Sequence, residues 1–182
     1  MGERDEDQLW VEQSRRGDPE AFAELVRRYQ RMIHALTYRM TGSLADAEDI
    51  AQEVFIQAYQ QLGAYRAEAR FSSWLYQIAV NRCLNWQKRS RRQAQFQEQW
   101  DREQKTANTA NESVALRVQE ALLQLNPKQR AAVVLTVYEG MNHAQAAQAL
   151  ACMETTVSWR LFTARAKLKR LLADTQRKRT LA

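Results

Sequence analysis

Residues 71–92 read FSSWLYQIAVNRCLNWQKRSRR, and the fold can be worked out from this stretch outward. It contains no glycine or proline, so it can form one helix of about six turns. Its first half carries apolar side chains at helical spacing, at Phe71, Trp74, Leu75, Ile78 and Ala79. Its second half carries basic residues and no acidic one: Arg82, Lys88, Arg89, Arg91 and Arg92. The pattern suits a helix that leaves a core and meets nucleic acid, although a buried helix with a solvated basic end explains it equally well.

The composition predicts an all-α protein of one or two domains. The 182 residues are 45% hydrophobic and include only five glycines and two prolines, which favours helices over turn-rich sheets. No apolar run approaches the roughly 18 residues of a spanning helix, and the acidic N-terminus is unlike a signal peptide. The two cysteines, Cys83 and Cys152, lie far apart, which predicts neither a disulfide framework nor a metal site. We therefore expect no membrane insertion and a cytoplasmic location.

Charge is distributed unevenly along the chain. Residues 1–65 contain 12 acidic and 7 basic side chains, whereas residues 66–182 contain 9 acidic and 20 basic ones. The second part is therefore suited to a polyanion, and the first part is suited to a protein partner. Solubility alone is a sufficient reason for part of this asymmetry.

Turn and cap residues divide the N-terminal part into helices, expected at about 5–16, 19–40 and 44–62. Gly17 ends the first helix, Asp18 caps the second and Pro19 suits its first position. Gly42 then closes the second helix, and Ser43 is a plausible N-cap for the third, with Asp46 in a capping-box-like role.

The third helix presents a compact acidic and amide face made of Asp46, Asp49, Gln52 and Glu53. An ordinary solvated face is the simplest explanation, and catalytic carboxylates are disfavoured because nothing nearby supplies a hydrophobic pocket or a partner acid. The loop that follows contains Tyr65 between basic residues. Its ring is suited either to stack on a base or to pack as a rim aromatic on the core.

Helical periodicity decays between residues 91 and 111, which predicts a frayed helix and then a flexible linker. We therefore divide the chain into residues 5–92, a linker at 93–113 and residues 114–176. In the last unit, a short helix capped by Asn142 is followed by a break and by a long helix from about Glu154 to Asp174. This arrangement is typical of a helix-turn-helix.

The outward face of the long helix carries hydroxyl and basic side chains. Its polar N-terminal turns can enter a major groove, and its basic remainder can lie along phosphates. The candidate DNA-binding residues are Thr155, Thr156, Ser158, Arg160, Thr163, Arg165 and Lys167.

Four stretches, in order and suitably spaced, make the chain resemble the extracytoplasmic-function (ECF, group IV) bacterial RNA polymerase sigma factors. They are GDPEAF at 17–22, DAEDIAQEVF at 46–55, FSSWL through AVNR at 71–82, and LNPKQR at 125–130 with TV at 156–157 and ARAKL at 164–168. The resemblance implies two small helical domains, sigma domain 2 and sigma domain 4, joined by a flexible linker. It also implies a factor that binds core RNA polymerase and directs promoter-specific transcription initiation, recognising −10 and −35 elements and aiding promoter melting.

The resemblance also implies roles for residues. The acidic face, Asp46, Asp49, Gln52 and Glu53, would contact the polymerase. Tyr65 would lie in the loop that captures a flipped −10 base, and Asn81 would sit at a base-reading position. The full −10 set is Tyr65, Trp74, Asn81, Asn85, Lys88, Arg89 and Arg92, and the helix-turn-helix residues above would bind the −35 element. Members of this family are commonly held by an anti-sigma factor, so we expect one as a partner beside core polymerase and promoter DNA.

The chain departs from the family in its helix-turn-helix. Ala151 stands where glycine is usual, and a left-handed conformation there would cost ~1 kcal/mol or more. Thr155 replaces another usual glycine, and Met153 stands where a capping hydroxyl is usual. Trp159 replaces a usual serine, and its ring either packs inward or touches a thymine methyl or sugar.

Two other classes of function remain to be weighed. A stand-alone helix-turn-helix regulator explains the C-terminal half equally well, but it explains neither the aromatic-to-basic helix nor the acidic face. An enzyme is disfavoured because His34 and His143 lie on separate predicted helices, without partners at triad or ligand spacing. We expect no catalytic residue, metal ion or cofactor.

Overall fold

The computed structural model describes residues 3–97 and 114–180, and these residues form helices joined by short connections. The helices are α1 Glu3–Arg15, α2 Pro19–Thr41, α3 Leu44–Gln61, α4 Phe71–Gln97, α5 Val114–Leu123, α6 Pro127–Val133, α7 His143–Ala149 and α8 Glu154–Thr180. The prediction of an all-α protein is therefore confirmed. The central helix continues five residues beyond the predicted end at position 92. Most of the predicted linker, residues 98–113, lies outside the described residues.

The predicted caps form around α2 and α3. The Asp18 side chain accepts hydrogen bonds from the first turn of α2, where Pro19 is the first helical residue. Gly42 ends α2 with a left-handed φ of +78°, a conformation that favours glycine. Ser43 Oγ accepts a hydrogen bond from the Asp46 backbone N–H at 3.3 Å. The Asp46 side chain does not complete a capping box, because it bonds to α4 instead.

The apolar stripe of the central helix lies in the core, as its spacing predicts. Phe71, Leu75, Ile78 and Ala79 are buried, and Trp74 is half-buried against them. They pack with the buried face of α2, which contributes Leu25, Ile33, Leu36 and Met40. The basic half of α4 extends from this core toward solvent.

The C-terminal helices form a second unit with its own local signals. Asn126 and Asn142 each make a full capping box, with Gln129 and Gln145 respectively. α6 continues into a π-helical turn, Val134–Tyr138. In α8 the apolar side chains of Val157, Leu161 and Ala164 recur at helical spacing and are buried, which places one face of this helix inward.

The two units pack against each other through polar contacts at the end of α2. The buried guanidinium of Arg130 donates hydrogen bonds to the carbonyls of Met40 in α2 and of Leu122 and Leu123 in α5. Burial lowers the pKa of Arg130 to about 10. Gln119 of α5 adds a hydrogen bond to the Tyr38 carbonyl at 3.0 Å. Arg130 therefore satisfies the Met40 carbonyl in the last turn of α2, and Gln119 adds a second hydrogen bond to the Tyr38 carbonyl, which already accepts one from the Gly42 backbone N–H.

A second polar link joins α4 and α2 to the turn before α7. The Tyr76 hydroxyl donates to Glu139 Oε2 at 2.6 Å, and Arg39 Nη1 lies 3.5 Å from Glu139 Oε1. The Arg39 guanidinium also stacks over the Tyr138 ring, 4.3 Å from its centroid. Burial, followed by the neighbouring Glu139 carboxylate, raises the pKa of Tyr76. Glu139 thus holds the two units together from a side chain that is only 7% exposed.

Glu139→Ala should loosen this packing, because it leaves Arg39 and Tyr76 without their shared acceptor. A lost partner of this kind costs about 1–3 kcal/mol, enough to populate an open arrangement. We expect a larger radius of gyration in small-angle X-ray scattering. The control is Glu120→Ala on the exposed face of α5, which should leave the radius unchanged. Equal radii for both variants would contradict the role given to Glu139.

Ala151, between α7 and α8, has a left-handed φ of +46°, the conformation whose cost the sequence analysis considered at this position. Ala151→Gly should relieve ~1–2 kcal/mol of strain, partly offset by the greater freedom of glycine in the unfolded chain. We expect a net stabilisation of up to about 1 kcal/mol by urea denaturation. The matched control, Ala166→Gly on the exposed face of α8, should destabilise by about 1 kcal/mol. A loss of stability in Ala151→Gly would contradict this account.

Candidate functional site

The acidic face of α3 separates into two outward residues and two that hold α4. Asp49 and Gln52 are exposed. Glu53 forms an ion pair with Arg82 of α4, with 3.1 Å between the oxygen and nitrogen atoms. Asp46 is half-buried, and its Oδ1 accepts a hydrogen bond from Trp86 Nε1 at 3.1 Å. The free part of the predicted protein-binding face is therefore centred on Asp49 and Gln52.

An open groove of about 580 Å³ lies beside this face, between α2 and α3. Its apolar wall is formed by Val26, Ala51 and Phe55. Its polar rim is formed by Gln30, Arg31, His34, Glu48 and Gln52. An apolar groove with a mixed polar rim is a surface that can receive a helix of another protein. The sequence did not reveal this groove, because it requires the packing of α2 against α3.

The predicted −10 residues of α4 share one face. Trp74, Asn81, Asn85, Lys88 and Arg92 follow one another at spacings of 7, 4, 3 and 4, which returns them to the same side of a helix. Trp74 is half-buried, and the other four are exposed. Arg89 is also exposed, on the neighbouring side of the helix. The face thus changes along α4 from aromatic, through amide, to cationic.

Tyr65 lies in the core rather than on the surface. Tyr65 is only 8% exposed, and its ring packs edge-on against the Phe71 ring with 5.6 Å between the ring centroids. The ring of Trp74 lies 5.2 Å away on another side. The Tyr65 hydroxyl donates to the Ala69 carbonyl at 2.7 Å and so closes the loop. Of the two roles that the sequence left open, this arrangement corresponds to the rim aromatic packed on the core.

A small pocket of about 150 Å³ opens beside this loop. It is lined by loop residues 64–69 and by Ser73, Trp74 and Gln77 of α4. Gln148 and Ala149 of α7 complete its wall. The pocket therefore lies where the C-terminal unit approaches the aromatic end of the predicted −10 face.

Substitutions at Tyr65 should distinguish the contribution of its ring to stability from the contribution of its hydroxyl. Tyr65→Ala should destabilise the fold by about 3–5 kcal/mol, because it empties a buried aromatic site. Tyr65→Phe keeps the ring and loses the bond to Ala69, which should cost about 0.5–1.5 kcal/mol. Tyr59→Phe is the control, since Tyr59 is half exposed. Urea denaturation measures all three, and equal stabilities for Tyr65→Phe and Tyr59→Phe would contradict the hydroxyl's role.

The predicted −35 residues of α8 also divide into free and engaged groups. Thr155, Ser158 and Arg165 are exposed, and the others, Thr156, Arg160, Thr163 and Lys167, are half-buried. Several hold the domain together, because Lys167 Nζ donates to the Gln124 carbonyl at 2.6 Å and Arg160 donates to Cys152 Sγ at 3.5 Å.

The two hydroxyls in the middle of the set are engaged as well. Ser158 Oγ donates to the Glu154 carbonyl and lies 3.0 Å from His143 Nδ1. Thr163 Oγ1 donates within α8 and accepts a hydrogen bond from Gln129 at 2.8 Å. These side chains link α8 to α7 and α6.

Two aromatic residues of α8 point away from the core. Trp159 is 64% exposed and Phe162 is 75% exposed. The sequence did not decide whether the Trp159 side chain packs inward or faces outward, and in the structure it faces solvent. Phe162 was missed, although its position off the buried stripe of Val157 and Leu161 was a usable signal.

Two structural features bear on metal binding and on membrane insertion. Among the residues that the structure describes, no three His, Cys, Asp or Glu side chains are grouped so that they could hold a metal ion. None of the described helices combines the length and apolarity needed to cross a membrane.

Two family models match the chain in the expected order. The model described as Sigma-70 region 2 matches residues 25–93, which include most of α2, all of α3 and the core of α4. The model described as Sigma-70, region 4 matches residues 115–168, from α5 into α8. Together they define a sigma factor built from regions 2 and 4.

Similar proteins narrow this class. The ECF RNA polymerase sigma factor SigM of Mycobacterium tuberculosis is 37% identical over 158 residues, covering 86% of this chain and 79% of the relative. The RNA polymerase sigma-H factor of Pseudomonas aeruginosa is 33% identical, covering 93% and 95%. The chain belongs to the ECF RNA polymerase sigma factors.

Solved structures agree with the fold. CnrH in complex with the cytosolic domain of CnrY superposes with a TM-score of 0.72 at 27% identity, covering 93% of this chain and 98% of CnrH. RpoE from Bartonella quintana, in complex with the anti-sigma factor NepR, gives a TM-score of 0.70 at 21% identity, covering 84% and 96%.

Proposed function

We propose that this sigma factor binds core RNA polymerase and directs promoter-specific transcription initiation, recognising a −10 element with α4 and a −35 element with α8. The observation that carries the proposal is the match to both Sigma-70 regions, each ending in a helix with an exposed basic stretch. A stand-alone helix-turn-helix regulator would leave the face of α4 and the acidic face of α3 without a use.

We assign polymerase binding to the free part of the α3 face. Asp49 and Gln52 are exposed beside the apolar groove between α2 and α3, so a partner helix can bury apolar surface in the groove while pairing with the carboxylate. Asp46 and Glu53 support this surface, since their bonds to Trp86 and Arg82 fix α3 against α4.

We assign −10 recognition and help with melting to the face of α4. Asn81 and Asn85 carry amides that can bond base edges, and Lys88, Arg89 and Arg92 can neutralise phosphates. A base taken out of the stack costs a few kcal/mol, which aromatic stacking of ~1–3 kcal/mol can largely offset. Trp74 and the loop pocket beside Tyr65 are placed for such a base.

Strand binding at that pocket requires the two units to separate. Gln148 and Ala149 of α7 form part of its wall, and a single strand running along α4 would meet α7. We therefore propose that the packed arrangement is the form that exists away from promoter DNA. An anti-sigma factor that masks polymerase-binding surfaces is the partner we expect to hold it.

The proposal also covers cofactors, location and domain boundaries. The chain acts as a specificity factor without a catalytic residue, metal ion or cofactor of its own, and it acts in the cytoplasm with core polymerase. Its domains are residues 5–92 and 114–176, joined by a linker at 93–113.

The polymerase face can be tested by charge reversal at its free residues. Asp49→Lys combined with Gln52→Lys should lower promoter-specific initiation at least tenfold, because it places cations where an acidic surface should dock. Glu53 is left intact to preserve its bond to Arg82. The readout is in vitro transcription with core polymerase on a library of genomic fragments.

The matched control is Gln8→Lys combined with Glu12→Lys on the exposed side of α1, which adds the same charge. This control should initiate like the wild type. Normal initiation by the α3 variant would remove Asp49 and Gln52 from the polymerase surface. Tight binding of duplex DNA by the chain alone, without polymerase-dependent initiation, would instead favour the stand-alone regulator.

A further inference from the structure

On the side opposite its buried residues, α8 presents a patch formed by the aromatic side chains of Trp159 and Phe162, beside the exposed Thr155. Residues 155, 159, 162 and 166 are separated by steps of 4, 3 and 4, so they share one face of the helix. Within this face, Trp159 and Phe162 are 64% and 75% exposed. Two large aromatic side chains exposed side by side form a candidate surface for another molecule to cover.

Two of the hydroxyls beside this patch are already engaged. Ser158 bonds to Glu154 and His143, and Thr163 bonds within α8 and to Gln129. These two hydroxyls form hydrogen bonds that stabilise the helix-turn-helix. Trp159 and Phe162 are the large exposed apolar side chains beside these hydroxyls.

Charge identifies the molecule that covers the patch. Residues 155–173 of α8 contain no acidic side chain, and Arg165, Lys169 and Arg170 are exposed one to two turns beyond the aromatic pair. An apolar patch continued by a cationic surface complements a nucleic-acid groove flanked by phosphates. In a helix-turn-helix, the N-terminal turns of the second helix lie in the major groove.

The major groove offers one apolar group for such a patch. Thymine carries a C5 methyl there, whereas the other bases present hydrogen-bonding atoms. We propose that Trp159 and Phe162 read the −35 element by burying thymine methyl groups. This proposal rests on the proposed function, since it needs α8 to bind the −35 element. Burying one methyl group against an aromatic ring is worth about a fourfold change in binding.

The test replaces each −35 thymine by uracil, which removes only the methyl group. The promoter is first identified by transcription from genomic fragments with core polymerase and the full chain, and then synthesised with single uracils. With the wild-type chain, uracil should lower initiation about fourfold at each contacted position. With Trp159→Ser or Phe162→Ser, the thymine and uracil templates should become equivalent at one of these positions.

Two further variants control for general effects. Trp159→Phe keeps an apolar ring and should retain the preference for thymine. Val137→Ser removes an exposed apolar side chain elsewhere in the same unit and should leave every uracil effect unchanged. Circular dichroism of each variant shows whether a loss of initiation is a loss of fold, and the thymine-to-uracil ratio is unaffected by the amount of active protein.

The outcomes separate the two proposals. Promoter-specific initiation that is indifferent to uracil, or a −35 element without thymine, overturns methyl reading and leaves the sigma-factor function standing. A full uracil penalty in Trp159→Ser overturns the role of Trp159. Weaker binding of Trp159→Ser to core polymerase without DNA would show that the patch covers a protein instead. Failure to initiate on any fragment would overturn the proposed function itself.

Discussion

The carbonyl oxygen of Met40, in the last turn of α2, is the point on which the packing of this protein depends. It accepts a hydrogen bond from Gln87 of α4 at 2.7 Å and another from the buried guanidinium of Arg130. A helix C-terminus leaves its last carbonyls open and carries partial negative charge, so a cation is favoured there. This one acceptor therefore ties the central helix and the helix-turn-helix unit to the same end of α2.

The chemistry of this junction also allows it to open. Beside the apolar side chains that the two units share in one core, the junction contains carbonyls, a guanidinium, an amide and a carboxylate, and water can hydrate these polar groups when the units separate. A hydrogen bond exchanged for hydration is worth only about 0.5–1.5 kcal/mol net. A junction made of such bonds is specific in geometry without being irreversible, which suits a protein whose two DNA-binding helices must reach separate promoter elements.

Polar residues of the proposed binding surfaces have two different uses. One group holds neighbouring helices in place through side-chain contacts: Asp46, Glu53, Ser158 and Thr163. Asp49, Gln52, Asn81 and the basic end of α4 remain directed to solvent. The first group positions the second, because a recognition side chain is useful only when the helix beneath it is fixed.

The local structure and the family could both be predicted from the sequence alone. Helical spacing and cap residues such as Asp18 and Asn142 depend on neighbours within a few residues, and these expectations were confirmed. Four motifs in order led to the ECF sigma factors. The burial of Tyr65 and the joining of the two units by Arg130 became visible only in the packed helices. Those outcomes depend on which distant helix lies opposite each side chain, and helical periodicity carries no information about that.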